Sequence, residues 1–126
     1  MRVIDPGHLY MLASYDGGDE IPVQFMKRIG PGYPGNNRGL LPGPCAGTNC
    51  QETLRALIDR VKHLQLQESC PENVAIIQLL RMSILLFEQR AAGRRGINLQ
   101  PVQMHQIESI PTCKICGHIQ CSEHTP

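Results

Sequence analysis

The sequence contains no tryptophan, and only three tyrosines and two phenylalanines occur among its 126 residues. Aliphatic side chains must therefore supply most of any buried core. The sequence also lacks an excess of charge of one sign, because 12 basic and 11 acidic residues give a formal net charge of +1. Proteins that bind duplex DNA usually present a strongly basic surface, so this balance argues against that function.

Long apolar segments are missing as well. No stretch approaches the roughly 20 apolar residues that cross a bilayer, and the start MRVIDPGHLY has no apolar secretion core. We therefore expect no membrane association and a cytoplasmic location. The length favours a single domain with a small core.

The sequence also lacks recognisable catalytic motifs. No pattern ties a nucleophile to a base and an orienting partner, or pairs two carboxylates across a cleft. The Gly/Pro-rich segment 30–47 precedes a helix but lacks the Gly-Lys-Ser/Thr ending of a phosphate-binding P-loop. These absences predict a binding protein and not an enzyme.

The elements that are present predict an α+β fold with a small antiparallel β-sheet, a two-helix hairpin and a Cys-rich C-terminal tail. Residues 1–112 are expected to form the domain: a β-hairpin in 1–29, a long loop in 30–47, a helical hairpin in 48–92, and a short strand and linker in 93–112. The hairpin is indicated by Leu9–Leu12, the turn-rich SYDGGDE and the alternating IPVQFMKRI. The sequence INLQPV is the expected third strand.

Both helices have start signals. Asn49 and Glu52 form a capping-box-like pair before the first helix. The second is expected to begin near Ser69, with Pro71 at an early helical position, and to end at about Ala92, before Gly93 and Gly96.

The second helix carries two apolar stripes, and one partner helix cannot cover both. The first contains Ile77, Leu80, Ile84, Phe87 and Ala91, and the second contains Ile76, Leu79, Met82 and Leu86. A helix with two apolar faces predicts self-association. Burial of the second stripe under the β-sheet is the alternative.

The tail TCKICGHIQCSEH, in residues 113–126, has the spacing of metal ligands. Cys113 and Cys116 form a C-x-x-C-G turn, while Cys121 and His124 form a second pair. Three thiolates and one imidazole can close a tetrahedron around a structural zinc ion. His118 competes with His124 as the fourth ligand, and a metal-free or redox-active tail remains an alternative.

Two groups of residues suit a nucleotide ligand. Phe87 with Arg90, Arg94 and Arg95 combines an aromatic face with guanidinium groups for phosphate. The alternative is a core phenylalanine beside arginines that complement the helix dipole. Met26 and Arg28 belong to a second, similar cluster.

Several segments together resemble the phage Thoeris anti-defence sponges, which share a helical-hairpin domain with anti-CBASS sponges. They are VIDPGHLYML, QFMKRIGPGYPGN, GTNCQETLRALIDRVKHL, LLFEQRAAGRRG and CKICGHIQC. The resemblance covers nearly the whole chain. It implies a protein of the infected bacterial cell that sequesters cyclic ADP-ribose isomers or cyclic oligonucleotides without cleaving them. It also implies assembly from dimers into hexamers.

The resemblance further implies two kinds of ligand site. An ADP-ribose-type ligand would contact Phe87, Arg90, Arg94 and Asn98, with Met26 and Arg28 as further candidates. A cyclic oligonucleotide would contact basic residues of the first helix, namely Arg55, Arg60 and Lys62, for which a solvated charged face is the alternative. The competing functions are a small zinc-binding adaptor for protein or single-stranded nucleic acid and, third, a nucleotide-processing enzyme.

Overall fold

A computed structural model describes residues 1–26 and 47–121. The chain divides into two compact units, Met1–Asn49 and Cys50–Pro126. The first contains a three-stranded antiparallel sheet and the second contains two helices, so the predicted α+β class is confirmed. The domain boundary expected between residues 112 and 113 stays a prediction. Within the described ranges, no helix has the length and apolar character needed to cross a membrane.

The sheet has the strand order β1-β2-β3, with β1 at Arg2–Asp5, β2 at Leu9–Leu12 and β3 at Ile21–Gln24. The hairpin of β2 and β3 was predicted, whereas β1 was not. The turn between β1 and β2 is closed by the His8 amide, which donates to the Asp5 carbonyl at 2.9 Å. Gly7 lies in this turn with φ +82°, a conformation that favours glycine.

The end of the second strand of the predicted hairpin, IPVQFMKRI, differs from the expectation. Regular pairing of β3 stops at Gln24, and Phe25 instead forms a parallel bridge with Thr48. The Phe25 ring meets the Tyr10 ring edge-on, with 6.0 Å between centroids. The remainder of the predicted strand, from Lys27 to Ile29, and the loop up to Ala46 lie outside the described residues.

Helix α1 spans Cys50–Gln67 and α2 spans Pro71–Arg94. The start of α1 directly after Asn49 agrees with the predicted cap. Helix α2 has Pro71 at its first position, but its N-cap is Cys70 and not Ser69. The connection between the helices comprises only residues 68–70, and so short a connection makes the two helices an antiparallel hairpin.

The C-terminus of α2 explains why the helix runs two residues beyond the expected end. The Ile97 amide donates to the Ala92 carbonyl at 3.0 Å, and the Gly96 amide donates to the Gly93 carbonyl at 3.1 Å. Gly96 has φ +70°. These two bonds around a left-handed glycine form a Schellman motif, which satisfies the last carbonyls of the helix. Gly93 therefore lies inside the helix, and Gly96 ends it.

The core of the helical unit consists mainly of isoleucine. Ile58 of α1, Ile77 and Ile84 of α2 and Ile107 form one buried cluster. Ile107 belongs to a 3₁₀ helix at Met104–Ser109. Partly buried aliphatic side chains surround this cluster: Leu54, Val61, Leu80, Leu85, Val102, Met104 and Ile110. Aliphatic residues thus supply the core, as the shortage of aromatic residues predicts.

The strand expected at INLQPV does not form, and residues 97–103 have no regular structure. The backbone of Gln100 pairs with the side chain of Gln120 and not with a neighbouring strand. Gln120 Oε1 accepts from the Gln100 amide at 2.7 Å, and Gln120 Nε2 donates to the Gln100 carbonyl at 3.1 Å. Pro101 has no amide proton to extend a ladder. The prediction of a third strand at this position was wrong.

The 3₁₀ helix is joined to both long helices by one buried carboxylate. The Glu108 side chain is 8% exposed, and its Oε2 lies 2.7 Å from Lys62 Nζ and 2.7 Å from Arg81 Nη2. Burial on its own would raise the pKa of Glu108. Hydrogen bonds from Arg81 and Lys62 outweigh that effect and hold the pKa at about 2.

Candidate functional site

The Cys-rich tail begins with a tight turn that places two cysteines side by side. The Gly117 amide donates to the Cys113 carbonyl at 2.8 Å, and the Cys113 amide donates to the His118 carbonyl at 2.9 Å. Gly117 has φ +75°, which explains the glycine after the C-x-x-C pair. The backbone therefore folds the segment 113–118 into a compact loop.

This loop and Cys121, three residues beyond it, bring three sulfur atoms together. The Sγ atoms of Cys113, Cys116 and Cys121 lie within 4.8 Å of one another, and those of Cys116 and Cys121 are 3.6 Å apart. Two thiolates bound to one tetrahedral zinc ion, with Zn–S bonds of about 2.3 Å, lie ~3.8 Å apart. The three cysteines can thus hold a metal ion with little rearrangement. Three of the four predicted ligands are brought together.

The turn also gives the thiols of Cys113 and Cys116 different pKa values. Backbone amides of Cys116 and Ile115 donate to Cys113 Sγ, which lowers the pKa of Cys113 to about 6. Burial raises the pKa of Cys116 to about 11, and the hydrogen bonds that the Cys116 thiol donates to Cys121 and Cys113 add to that effect. Of these two thiols, Cys113 is therefore the more readily ionised.

The predicted fourth ligand, His124, lies outside the described residues. His118, its competitor, is not part of the sulfur cluster. Its Nδ1 lies 3.3 Å from Glu88 Oε2 and 3.2 Å from Gln51 Nε2. The side chain of His118 therefore faces the helical hairpin.

Glu88 is a site residue that the sequence analysis missed. Its side chain is fully buried, and it accepts from Gln51 Nε2 at 3.1 Å and from the Ile119 amide at 3.2 Å. Gln51 is itself buried at the start of α1. A signal for this network was present in the sequence, because Glu88 lies four residues from both Ile84 and Ala92 on the buried face of α2. A charged residue at such a position needs hydrogen-bond partners.

The residues expected to contact an ADP-ribose-type ligand are partly assembled on α2. Phe87 is half-buried, and the guanidinium carbon of Arg90 lies 5.1 Å from the centroid of its ring. Arg94 is the exposed last residue of α2, and Asn98 is exposed just beyond the helix. The aromatic face and the cationic groups therefore follow one another along the end of this helix.

The other ADP-ribose-type candidates belong to the N-terminal unit. Met26 is half-buried, and its amide donates to the Thr48 carbonyl at 2.9 Å. Arg28 lies outside the described residues.

The three basic residues of α1 do not form one patch. Lys62 is paired with Glu108, whereas Arg60 is exposed. These two positions differ by roughly 200° around the helix axis. The Arg55 side chain is 11% exposed and lies 3.7 Å from Glu52. Its buried guanidinium nitrogens have no hydrogen-bond partner among the described residues.

Comparisons with protein-family models, with curated proteins and with solved structures found no match.

Proposed function

We propose that this protein is a sponge for nucleotide-type immune second messengers. It binds cyclic ADP-ribose isomers, and also cyclic oligonucleotides, and keeps them from their receptors in the bacterial cell without cleaving them. The proposal rests on the resemblance of the sequence to the Thoeris and CBASS anti-defence sponges. The observation that carries it is the contact between Phe87 and Arg90 at the end of α2.

The chemistry of this contact suits an adenine nucleotide. An aromatic ring offers a stacking surface to a base, and guanidinium groups bind phosphate oxygens with two parallel hydrogen bonds. Arg90 covers one face of the Phe87 ring, so a base stacks on the opposite face or displaces the guanidinium. Displacement is inexpensive, because an exposed cation–π contact contributes only about 0.5–1 kcal/mol.

The cyclic-oligonucleotide part of the proposal is supported by Arg55. The Arg55 guanidinium lies 3.7 Å from Glu52, which is too long for a hydrogen bond, and it has no hydrogen bond among the described residues, so an anionic ligand would supply bonds that it lacks. Arg60 can contribute a second, exposed positive charge. Lys62 already has a carboxylate partner, so it is the weakest of the three candidates.

The experiment that tests the proposal is calorimetric titration of the purified protein with a panel of cyclic ADP-ribose isomers and cyclic di- and trinucleotides. We expect at least one member to bind with a Kd below about 1 µM, since a sponge must bind more tightly than the receptor it competes with. The ligand is then released by heat and analysed by chromatography. Absence of binding to every member would reject the sponge, and a chemically altered ligand would indicate an enzyme.

A second copy of the chain is the proposed partner of the exposed stripe on α2. Ile76, Leu79, Met82 and Leu86 are between 41% and 69% exposed, at spacings that place them along one side of the helix. Apolar patches of this kind often mark interfaces between copies of a chain.

We therefore expect light scattering after size-exclusion chromatography to give a mass of two or more chains at micromolar concentration. Leu79→Asp should reduce that mass, because the interface would have to bury a charge. Leu66→Asp is the matched control, since Leu66 is an exposed leucine on α1 and its replacement should leave the mass unchanged. A monomeric wild-type protein would contradict the expected assembly.

A zinc-binding adaptor for protein or single-stranded nucleic acid is the second candidate. The sulfur cluster of Cys113, Cys116 and Cys121 favours it, because zinc is among the ions that thiolate ligands bind well. Binding of zinc without binding of any messenger in the titration would favour this candidate over the sponge.

A further inference from the structure

The tail supplies two contacts to the buried carboxylate of Glu88. Gln51 supplies one donor from α1, whereas the Ile119 amide and His118 Nδ1 supply the other contacts, at 3.2 Å and 3.3 Å. A carboxylate with no solvent exposure is stable only while such partners are in place. Detachment of the tail would thus remove the Ile119 donor and the His118 contact from a carboxylate that stays inside the helical hairpin.

The two tail residues that contact Glu88 lie inside the loop closed by the cysteines. His118 and Ile119 are located between Cys116 and Cys121, and the His118 carbonyl is bound by the Cys113 amide. Ile119 has no solvent exposure, so the loop is also seated by an apolar side chain. A constraint that holds Cys116 next to Cys121 therefore also fixes the segment that reaches Glu88.

We propose that a zinc ion bound by Cys113, Cys116 and Cys121 fixes the tail onto Glu88 and thereby stabilises the helical hairpin. The metal thus acts as a structural clamp between the tail and the two helices, with Glu88 as the positioning residue that receives the tail. This inference rests on the metal site but not on messenger binding.

Physical chemistry supports a clamp of this kind. A loop this short cannot supply a core of its own. Zinc bound by thiolates contributes its binding free energy to the folded state, because the unfolded chain has no preformed site. The 3.6 Å separation of the Cys116 and Cys121 sulfurs is already close to the ~3.8 Å of two zinc-bound thiolates.

The first test measures zinc content and thermal stability of the full chain in a non-thiol reductant. We expect about one zinc ion per chain after equilibration with zinc chloride and desalting. Removal of the metal with a chelator should lower Tm by about 5 °C or more. A chain that retains no zinc, or a Tm that chelation leaves unchanged, would overturn the inference.

Variants of single cysteines test whether the sulfur cluster is responsible for zinc binding and for the rise in Tm. Cys116→Ser should abolish stoichiometric zinc binding and give the Tm of the chelated wild-type protein. Cys50→Ser is the matched control, because Cys50 is exposed on α1 and does not belong to the cluster. It should retain both the zinc ion and the Tm of the wild-type protein, and loss of zinc in this variant would contradict the assignment.

The coupling to Glu88 is tested by hydrogen–deuterium exchange of the wild-type protein with and without zinc. We expect amides of α2 around Glu88 to exchange about tenfold faster after chelation, because local opening becomes easier when the tail detaches. The same measurement on Glu88→Gln should show zinc binding retained but the effect of zinc on α2 reduced by at least about half. Equal exchange rates in the wild-type protein with and without zinc would show that the metal does not stabilise the hairpin.

These outcomes separate the inference from the proposed function. Tight messenger binding with no effect of zinc on α2 would retain the sponge and reject the clamp. A zinc-dependent hairpin that binds no messenger would retain the clamp and reject the sponge.

Discussion

Replacing Phe87 with alanine is expected to weaken binding of an ADP-ribose-type ligand by about 10- to 100-fold. Stacking of a base on an aromatic side chain contributes about 1–3 kcal/mol, and each 1.4 kcal/mol corresponds to about tenfold in Kd. Calorimetric titration of the variant with the best ligand of the panel measures this change directly. The helical hairpin should persist, because the main cluster of buried side chains does not include Phe87.

Two further variants show whether stacking is the cause. Phe87→Leu keeps an apolar side chain at this position but removes the aromatic face, so its affinity should fall nearly as far as that of Phe87→Ala. Gln89→Ala is the control, since Gln89 is an exposed α2 residue in the same turn, and its affinity should stay within about twofold. If Phe87→Leu binds as tightly as the wild-type protein, the aromatic ring is not the stacking surface.

The helical hairpin could be predicted closely because its signals are local. Pro71 fixes the first position of α2, and Gly96 adopts the left-handed conformation that ends it. Helix length and apolar spacing follow from residues a few positions apart. The error of two residues at the end of α2 arose because Gly93 was interpreted as a stop signal, although a glycine inside a helix costs only about 1 kcal/mol.

The strands that were missed or wrongly predicted depend on contacts between residues far apart in the sequence. Strand β1 has only four residues, and its pairing with β2 is irregular between Val3 and Asp5, so periodicity gave little indication of it. The strand predicted at INLQPV failed because the Gln120 side chain, 20 residues away, satisfies the Gln100 backbone. Local propensity contains no information about such a partner.

In the candidate metal centre, too, the features set by nearby residues were predictable and those set by distant residues were not. The C-x-x-C-G spacing was sufficient to predict that Cys113 and Cys116 lie together, and Cys121 joins them. The orientation of His118 was not predictable, because it depends on Glu88 and Gln51, which are 30 and 67 residues away along the chain. The one sequence feature that indicated such a contact is Glu88 itself, a charged residue among apolar residues on one face of α2.

Glu108→Gln should destabilise the protein at neutral pH by about 1–3 kcal/mol, since solvent screens part of the charge interaction, and this difference should disappear in acid. Since Arg81 and Lys62 hold the pKa of Glu108 at about 2, well below the ordinary range of a glutamate, the folded state favours the charged carboxylate. The stabilisation is complete above the unfolded pKa and is lost as the pH falls through the folded value. Each pKa unit corresponds to about 1.4 kcal/mol.

Urea unfolding of the wild-type protein and the variant at pH 7, 4 and 2.5 measures this dependence. Other carboxylates also titrate in this range, so the informative quantity is the difference in unfolding free energy between the two proteins. We expect it to be largest at pH 7 and to shrink between pH 4.5 and 2. Glu68→Gln removes an exposed carboxylate between the helices and should cost less than about 0.5 kcal/mol at every pH. A difference for Glu108→Gln that stayed constant with pH would mean that its effect comes from packing and not from the charge shared with Arg81 and Lys62.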